Sequence, residues 1–165
     1  MRPTIVIYGS STGTCQSLAQ RIADKLGGVK TLDAANLTES IISSHDNLII
    51  GTSTWGAGDM QDDWYDAVKT LQNSNLTGKT IALFGCGDSA SFPDTFVSGM
   101  GELYDALKGS GATFVGAVPT DGYTYDDSTA VADGKFVGLA LDEVNEADKT
   151  DERIASWIAE IQPRL

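Results

Sequence analysis

Residues 4–16 read TIVIYGSSTGTCQ, an apolar segment that runs directly into a loop of glycine and hydroxyl residues. Residues 4–8 have the composition of a buried β-strand, and residues 13–26 carry apolar side chains at helical spacing. A strand, a glycine-containing turn and a helix in this order are typical of the first unit of a parallel α/β sheet. This stretch therefore predicts a parallel α/β fold.

The loop at residues 9–16 is suited to holding a phosphate group. Its glycines permit backbone conformations in which successive N–H groups point at one centre, and the following helix adds its free N-terminal donors. Hydrogen bonds to a charged acceptor contribute about 1.5–3 kcal/mol each, so a handful of neutral donors can hold one phosphate monoester. A nucleoside triphosphate is not favoured, because Thr14 follows Gly13 where a triphosphate-binding loop needs lysine. An ordinary strand-to-helix turn is the alternative that this loop leaves open by itself.

Strand and helix patterns alternate along the whole chain. The predicted strands are 4–8, 29–32, 47–51, 79–86 and 113–118, and the predicted helices are 13–26, 38–43, 61–72, 94–109 and 149–161. Strand cores such as IVIY, LIIG and IALFG are continuously apolar, as in strands that helices cover on both faces. We expect a single domain, residues 1–165, with three α/β/α layers and a doubly wound five-stranded parallel sheet of order 2-1-3-4-5. Ligands of such sheets bind at the carboxyl ends of the strands that flank the reversal of strand order.

An insertion is predicted to interrupt the fifth strand. Residues 119–134 are polar and glycine-containing, and a second apolar run follows at residues 136–141. This segment either binds partners or covers an edge of the sheet, and its sequence does not choose between the two.

Two further loops follow predicted strands and carry aromatic side chains. Residues 52–59 read TSTWGAGD and residues 86–94 read CGDSASFPD, so Trp55 and Phe92 fall at the carboxyl edge of the sheet. Two aromatic side chains facing one crevice predict that a flat ring is held between them. Trp64 and Trp157 lie instead on helical apolar stripes and are predicted to belong to the core.

Bulk properties exclude several classes of function. The net charge of −12 and the pI near 4.2 disfavour binding to nucleic acid or anionic membranes, and they favour protein partners with basic surfaces. The apolar runs are too short to span a bilayer and no signal-peptide pattern opens the sequence, so we expect a cytoplasmic monomer. Cys15 and Cys86 are far apart in sequence and form no metal-binding motif, which predicts two free thiols and no metal site.

The chain resembles the long-chain flavodoxins over nearly its whole length. The segments that carry the resemblance are GSSTGTCQS at 9–17, LIIGTSTWGAGDMQDDW at 48–64, FGCGDS at 84–89, DGYTYDDS at 121–128 and GKFVGLALDE at 134–143. The resemblance implies a flavodoxin-like fold, non-covalently bound FMN as the cofactor, and one-electron transfer at low potential without substrate turnover. It also implies redox partners: a flavin or iron-sulfur reductase upstream, and an acceptor such as nitrogenase or a ferredoxin-type partner downstream.

The resemblance also implies roles for particular residues. Trp55 and Phe92 would lie against the two faces of the flavin, and Asp88 would meet its pyrimidine edge or ribityl chain. The FMN phosphate would be surrounded by Ser10, Ser11, Thr12, Gly13, Thr14 and Cys15. The loops around the ring would add Thr52, Ser53, Thr54, Gly56, Ala57, Gly58, Cys86, Gly87 and Asp94.

Two residues depart from the family pattern. A hydroxyl residue usually stands where this chain has Cys15, and a tyrosine usually stands where it has Phe92.

The resemblance also implies a role for the loop at residues 52–59, called the tryptophan loop below. In the family a peptide of this loop, here Gly56–Ala57, turns its carbonyl toward the flavin of the semiquinone. Because several aspartates lie on or near the ligand loops, we also expect the fully reduced, anionic flavin to be disfavoured; at about 10 Å in water each unit charge costs roughly 0.4 kcal/mol.

Three other classes of protein share single features with this sequence. A phospho-receiver domain needs an acidic pair after its first strand, where this chain has Gly9 and Ser10, and an aspartate at the end of its third strand, where it has Gly51 and Thr52. A cysteine phosphatase matches the spacing of Cys15 and Arg21, but its cysteine directly follows the strand, whereas Cys15 precedes a helical pattern. An FMN-dependent NAD(P)H or quinone reductase remains the main alternative, although aromatic side chains on both ring faces would block hydride transfer.

Overall fold

The computed structural model describes residues 1–165 and contains ten strands and five α-helices. The strands are β1 Thr4–Gly9, β2 Lys30–Asp33, β3 Asn47–Trp55, β4 Asp59–Met60, β5 Thr80–Cys86, β6 Thr113–Val115, β7 Val118–Pro119, β8 Val131–Ala132, β9 Lys135–Phe136 and β10 Leu139–Leu141. The helices are α1 Thr14–Lys25, α2 Glu39–Ser43, α3 Asp63–Gln72, α4 Ser98–Leu107 and α5 Ala147–Ile161. No helix combines the length and the apolar composition that crossing a membrane would require.

The central sheet is parallel and has the predicted strand order. β2, β1, β3 and β5 lie side by side in that order, and the fifth position beyond β5 is shared by β6 and β10. β6 pairs with Thr80–Ala82 and β10 pairs with Phe84–Cys86, so both contact the same edge of β5. The prediction of an interrupted fifth strand is therefore confirmed.

Two hydrophobic cores cover the faces of the sheet. One contains Leu18 and Ile22 of α1 with Trp157 of α5, and the other contains Trp64 of α3 with Met100 of α4. The central strands contribute fully buried side chains to both cores, as their continuously apolar sequences predict. The three-layer α/β/α architecture is confirmed.

The two tryptophans predicted to belong to the core are buried. Trp64 and Trp157 are at most 2% exposed. Each indole N–H donates to a backbone carbonyl, Trp64 to Gly51 at 2.8 Å and Trp157 to Gly116 at 2.9 Å. A buried indole needs such a partner, so both positions are fixed in orientation as well as in depth.

The start of α4 differs from its predicted position. The helix begins at Ser98 rather than at residue 94, and Val97 before it has a left-handed backbone with φ of 48°. This conformation is rare for a β-branched residue, and Val97 is held there with its side chain fully buried. Residues 94–97 therefore precede the helix instead of forming its first turn.

The insertion is more ordered than its sequence indicates. Strands β7, β9 and β8 form a small antiparallel sheet that the polar composition did not predict. Tyr123 of the insertion packs against Phe96 and Phe136, and its hydroxyl donates to the carbonyl of Ala140 at 2.7 Å. These contacts favour the interpretation that the insertion covers one edge of the sheet.

Candidate functional site

The three predicted loops surround one cavity at the carboxyl edge of the sheet. Its volume is about 380 Å³. Ten of its lining residues are predicted site residues: Thr12, Thr14, Ser53, Thr54, Trp55, Gly56, Cys86, Gly87, Asp88 and Phe92. The cavity lies beside β1, β3 and β5, at the place that the reversal of strand order predicts.

The phosphate loop presents free donors at one end of this cavity. Gly13, with φ of 93°, precedes α1, and no side chain caps the first backbone N–H groups of the helix. Thr12 and Thr14 line the cavity, while the hydroxyl of Ser10 accepts a hydrogen bond from the N–H of Gly13 at 3.1 Å. Ser11 is exposed and receives a hydrogen bond from the Gln61 side chain at 3.3 Å. Uncapped helix donors and neutral hydroxyls form a site that fits a phosphate monoester.

The Cys15 thiol does not reach the cavity. Its side chain is fully buried in the core on the α1 side of the sheet, beside Cys86 and below the end of β1. A hydrogen bond with the Cys86 thiol and burial raise the pKa of Cys15 well above its usual value, so the thiol stays protonated. Cys15 does not line the cavity, so any contact with a ligand would come from its backbone N–H at the start of α1. The replacement of the usual hydroxyl therefore changes the core rather than the phosphate loop.

The tryptophan loop is a tight turn built on strand pairing. β4 pairs antiparallel with the end of β3, and the N–H of Gly58 donates to the carbonyl of Trp55 at 3.1 Å. Gly56 has a φ of 55°, a left-handed conformation that favours glycine. Trp55 remains 41% exposed, and its indole N–H donates to the Ser53 hydroxyl at 2.7 Å. The ring is therefore oriented before any ligand is bound.

Three predicted residues of this loop lie outside the cavity. Thr52 is fully buried, and its hydroxyl accepts a hydrogen bond from the backbone N–H of Gln61 at 2.9 Å. Ala57 and Gly58 belong to the turn but do not line the cavity. All three residues therefore shape the loop without lining the cavity.

The third loop, residues 86–94, carries Phe92 and Asp88. Phe92 is 58% exposed and lines the cavity. The backbone N–H of Ser91 donates to Asp88 at 3.0 Å and the amide of Asn145 donates to it at 2.8 Å. These hydrogen bonds hold the pKa of Asp88 below its usual value, so it is an anion at neutral pH. Asp94 is exposed and does not line the cavity.

A fourth segment of the wall was not predicted from the sequence. Glu143 and Val144 line the cavity from the connection between β10 and α5, and Thr95 lines it from the position directly after the third loop, residues 86–94. Val144 is 70% exposed. The signal that could have found them is topological: β10 is parallel to β5, so the residues that follow it emerge at the same edge.

The fold and the site together define the class of protein. It is a doubly wound α/β protein whose site suits a phosphate at one end and a flat ring at the other. The residues provide hydroxyls, backbone donors and aromatic faces, and the chain contains no cluster of three or more side chains that could hold a metal ion.

Comparisons with known proteins identify the family. The flavodoxin family profile matches residues 6–157. The chain is 48% identical over 164 residues to Flavodoxin 1 of Azotobacter vinelandii, which covers 95% of this chain and 94% of that protein. It is 38% identical over 163 residues to a flavodoxin of Synechocystis, with 97% of this chain and 96% of that protein covered. The chain belongs to the flavodoxin family.

A solved structure supports the same assignment. The crystal structure of Fusobacterium nucleatum flavodoxin bound to flavin mononucleotide matches with a TM-score of 0.93 at 33% identity, covering 100% of this chain and 99% of that one. Flavodoxins are electron-transfer proteins and not enzymes. Family membership therefore favours an electron carrier over the reductase alternative.

Proposed function

We propose that this chain is a low-potential one-electron carrier that binds FMN non-covalently in the cavity at the carboxyl edge of the sheet. The observation that carries the proposal is the pairing of an uncapped, cation-free phosphate loop with two exposed aromatic side chains in one cavity of about 380 Å³. The relative from Fusobacterium nucleatum, at 33% identity, is bound to flavin mononucleotide. When bound, FMN supplies the capacity to accept and release electrons one at a time.

The phosphate end of the cofactor is held by the loop before α1. Thr12 and Thr14 offer hydroxyls from the cavity wall, Ser10 and Ser11 stand beside them, and Gly13 lets the backbone turn. The first N–H groups of α1, including that of Cys15, complete the set. These dipoles stabilise the phosphate without neutralising it, and no cation compensates its charge.

The ring end is held between the tryptophan loop and the third loop. Trp55 and Phe92 provide the aromatic surfaces, and Val144 extends the apolar wall. Gly87 and Asp88 also line the cavity and would face the polar edge of the flavin. Coverage of the ring by side chains leaves electron transfer, rather than hydride transfer, as the chemistry that the site permits.

The negative charge of the protein has two roles in this proposal. Asp88 lines the cavity, and Asp59, Asp62, Asp63, Asp66 and Asp94 lie on or near the loops around it, on a chain with a net charge of −12. This field opposes a second electron on the flavin, which makes the second reduction potential strongly negative. The same acidic face attracts basic surfaces of the reductase and acceptor proteins that exchange electrons with it. We propose that the protein does this as a single-domain monomer.

Flavin binding by the cofactor-free protein tests the proposed site. FMN is expected to bind at least about tenfold more tightly than riboflavin, because the phosphate gains several hydrogen bonds of about 1.5–3 kcal/mol each. Both affinities are measured by quenching of flavin fluorescence, and inorganic phosphate is expected to compete with FMN but not with riboflavin. Equal affinities for the two flavins would contradict a phosphate site in this loop.

A further inference from the structure

Asp142 is a buried carboxylate directly behind the ring-binding part of the cavity. It follows β10, is fully buried, and does not line the cavity. One of its oxygens, Oδ2, accepts hydrogen bonds from the backbone N–H of Ser89 at 3.1 Å and from the Ser89 hydroxyl at 2.5 Å. The other, Oδ1, accepts from the backbone N–H groups of Val144 at 3.2 Å and Asn145 at 2.9 Å. One carboxylate thus joins two segments of the chain.

Asn145 makes a second connection between the same segments. Its side-chain amide donates to Asp88 at 2.8 Å and lies within hydrogen-bonding distance of both Asp142 oxygens, at 3.2 and 3.1 Å. The backbone N–H of Gly87 also donates to the carbonyl of Leu141 at 3.0 Å. The third loop is therefore tied to the segment 141–145 along its first half.

The ionised form of Asp142 suits this arrangement. Burial raises the pKa of Asp142, but the hydrogen bonds from Ser89 and Asn145 outweigh burial and lower it overall. Both oxygens receive backbone donors, so an amide at this position would turn an NH₂ group toward N–H groups on one side. The protein tolerates this buried charge because hydrogen-bond donors reach both oxygens of the Asp142 carboxylate.

We propose that Asp142 is a positioning residue for the flavin ring: its carboxylate fixes the third loop against residues 142–145 and so sets the width of the ring-binding half of the cavity. Phe92 and Asp88 enter the cavity from one of the joined segments, and Val144 enters it from the other. The inference rests on the proposed function, since it assigns the residue to the FMN site.

The position of this network predicts which flavins are affected. Its hydrogen bonds reach Asp88 and Ser89 but none of residues 9–14 in the phosphate loop. Weakening the network should therefore lower the affinity for FMN and for riboflavin by the same factor. A change in the phosphate loop would instead lower the affinity for FMN alone.

The test compares Asp142→Asn with Asp148→Asn, an exposed carboxylate near the start of α5. Asp142→Asn is expected to weaken both flavins at least about tenfold, with the ratio of the two affinities unchanged. At saturating FMN its bound-flavin absorption spectrum should differ from that of the wild type, which general loss of stability would not cause. Asp148→Asn should match the wild type in affinity and spectrum.

Asn145→Ala keeps the inference testable if Asp142→Asn does not fold. Asn145 is exposed, so its removal leaves the core intact, and the loss of its bridge should weaken both flavins severalfold. Riboflavin affinity within twofold of wild type in every folded variant would overturn the inference, and so would a loss confined to FMN. If the wild-type protein binds neither flavin, the proposed function itself fails, which is a distinct result.

Discussion

Replacement of Trp55 by alanine is expected to weaken FMN binding by about 5- to 150-fold. Stacking of an aromatic side chain on a heteroaromatic ring contributes about 1–3 kcal/mol, and each 1.4 kcal/mol changes an affinity about tenfold. Trp55 is held ready for such stacking, because its indole N–H is bonded to Ser53 at 2.7 Å. The measurement is a fluorescence titration of the cofactor-free variant with FMN and with riboflavin. Both flavins should lose affinity, because the ring is common to them.

Tyr65→Ala is the matched control for this substitution. Tyr65 and Trp55 are both aromatic and both 41% exposed, but Tyr65 lies on α3 outside the cavity. Its removal should leave FMN affinity within about twofold of the wild type, the scale of a surface change of up to ±0.5 kcal/mol. An FMN affinity for Trp55→Ala equal to that of the control would mean that the ring does not lie against Trp55.

Replacement of Gly99 by alanine is expected to destabilise the protein by about 3 kcal/mol and to weaken FMN binding as well. A Cβ at Gly99 would lie 2.7 Å from the carbonyl oxygen of Ser53 and 3.1 Å from the Thr54 hydroxyl oxygen. The backbone N–H of Gly99 also donates to that hydroxyl at 3.1 Å, so α4 and the end of β3 would have to separate. Because Ser53 and Thr54 line the cavity, the change reaches the tryptophan loop.

Gly109→Ala separates crowding from backbone strain. Gly109 lies just beyond α4 with a φ of 80°, and a Cβ there would meet no atom within 4 Å. The strain of the left-handed conformation alone should cost about 1 kcal/mol, with FMN affinity unchanged. Urea unfolding of both variants measures the difference. Equal costs for the two substitutions would show that the approach of α4 to β3 is not as tight as described.

The alternation of strands and helices and the ring-binding loops could be predicted because they depend on local sequence, and the strand order followed from the rule for doubly wound sheets. Continuously apolar strands separated by helical patterns predicted a parallel, doubly wound sheet, and its rule for ligand position placed Trp55 and Phe92 at one cavity. The burial of Trp64 and Trp157 likewise followed from helical apolar stripes.

The features that were missed depend on contacts between distant segments. The orientation of Cys15 into the core is set by packing beside Cys86, which is distant in sequence. Val97 adopts a left-handed backbone only because surrounding structure holds it there, so the late start of α4 has no local signal. The contribution of Val144 to the cavity depends on how β10 returns beside β5 after the insertion.

Spectroelectrochemical titration of the FMN-loaded protein tests the central claim, that this site carries single electrons, most directly. Two separate one-electron steps are expected, with the second at a strongly negative potential because the negative charge around the cavity opposes it. NADPH alone is not expected to bleach the flavin unless a separate reductase is present. A single two-electron step, or rapid bleaching by NADPH alone, would contradict the proposed one-electron carrier and favour a flavin-dependent reductase.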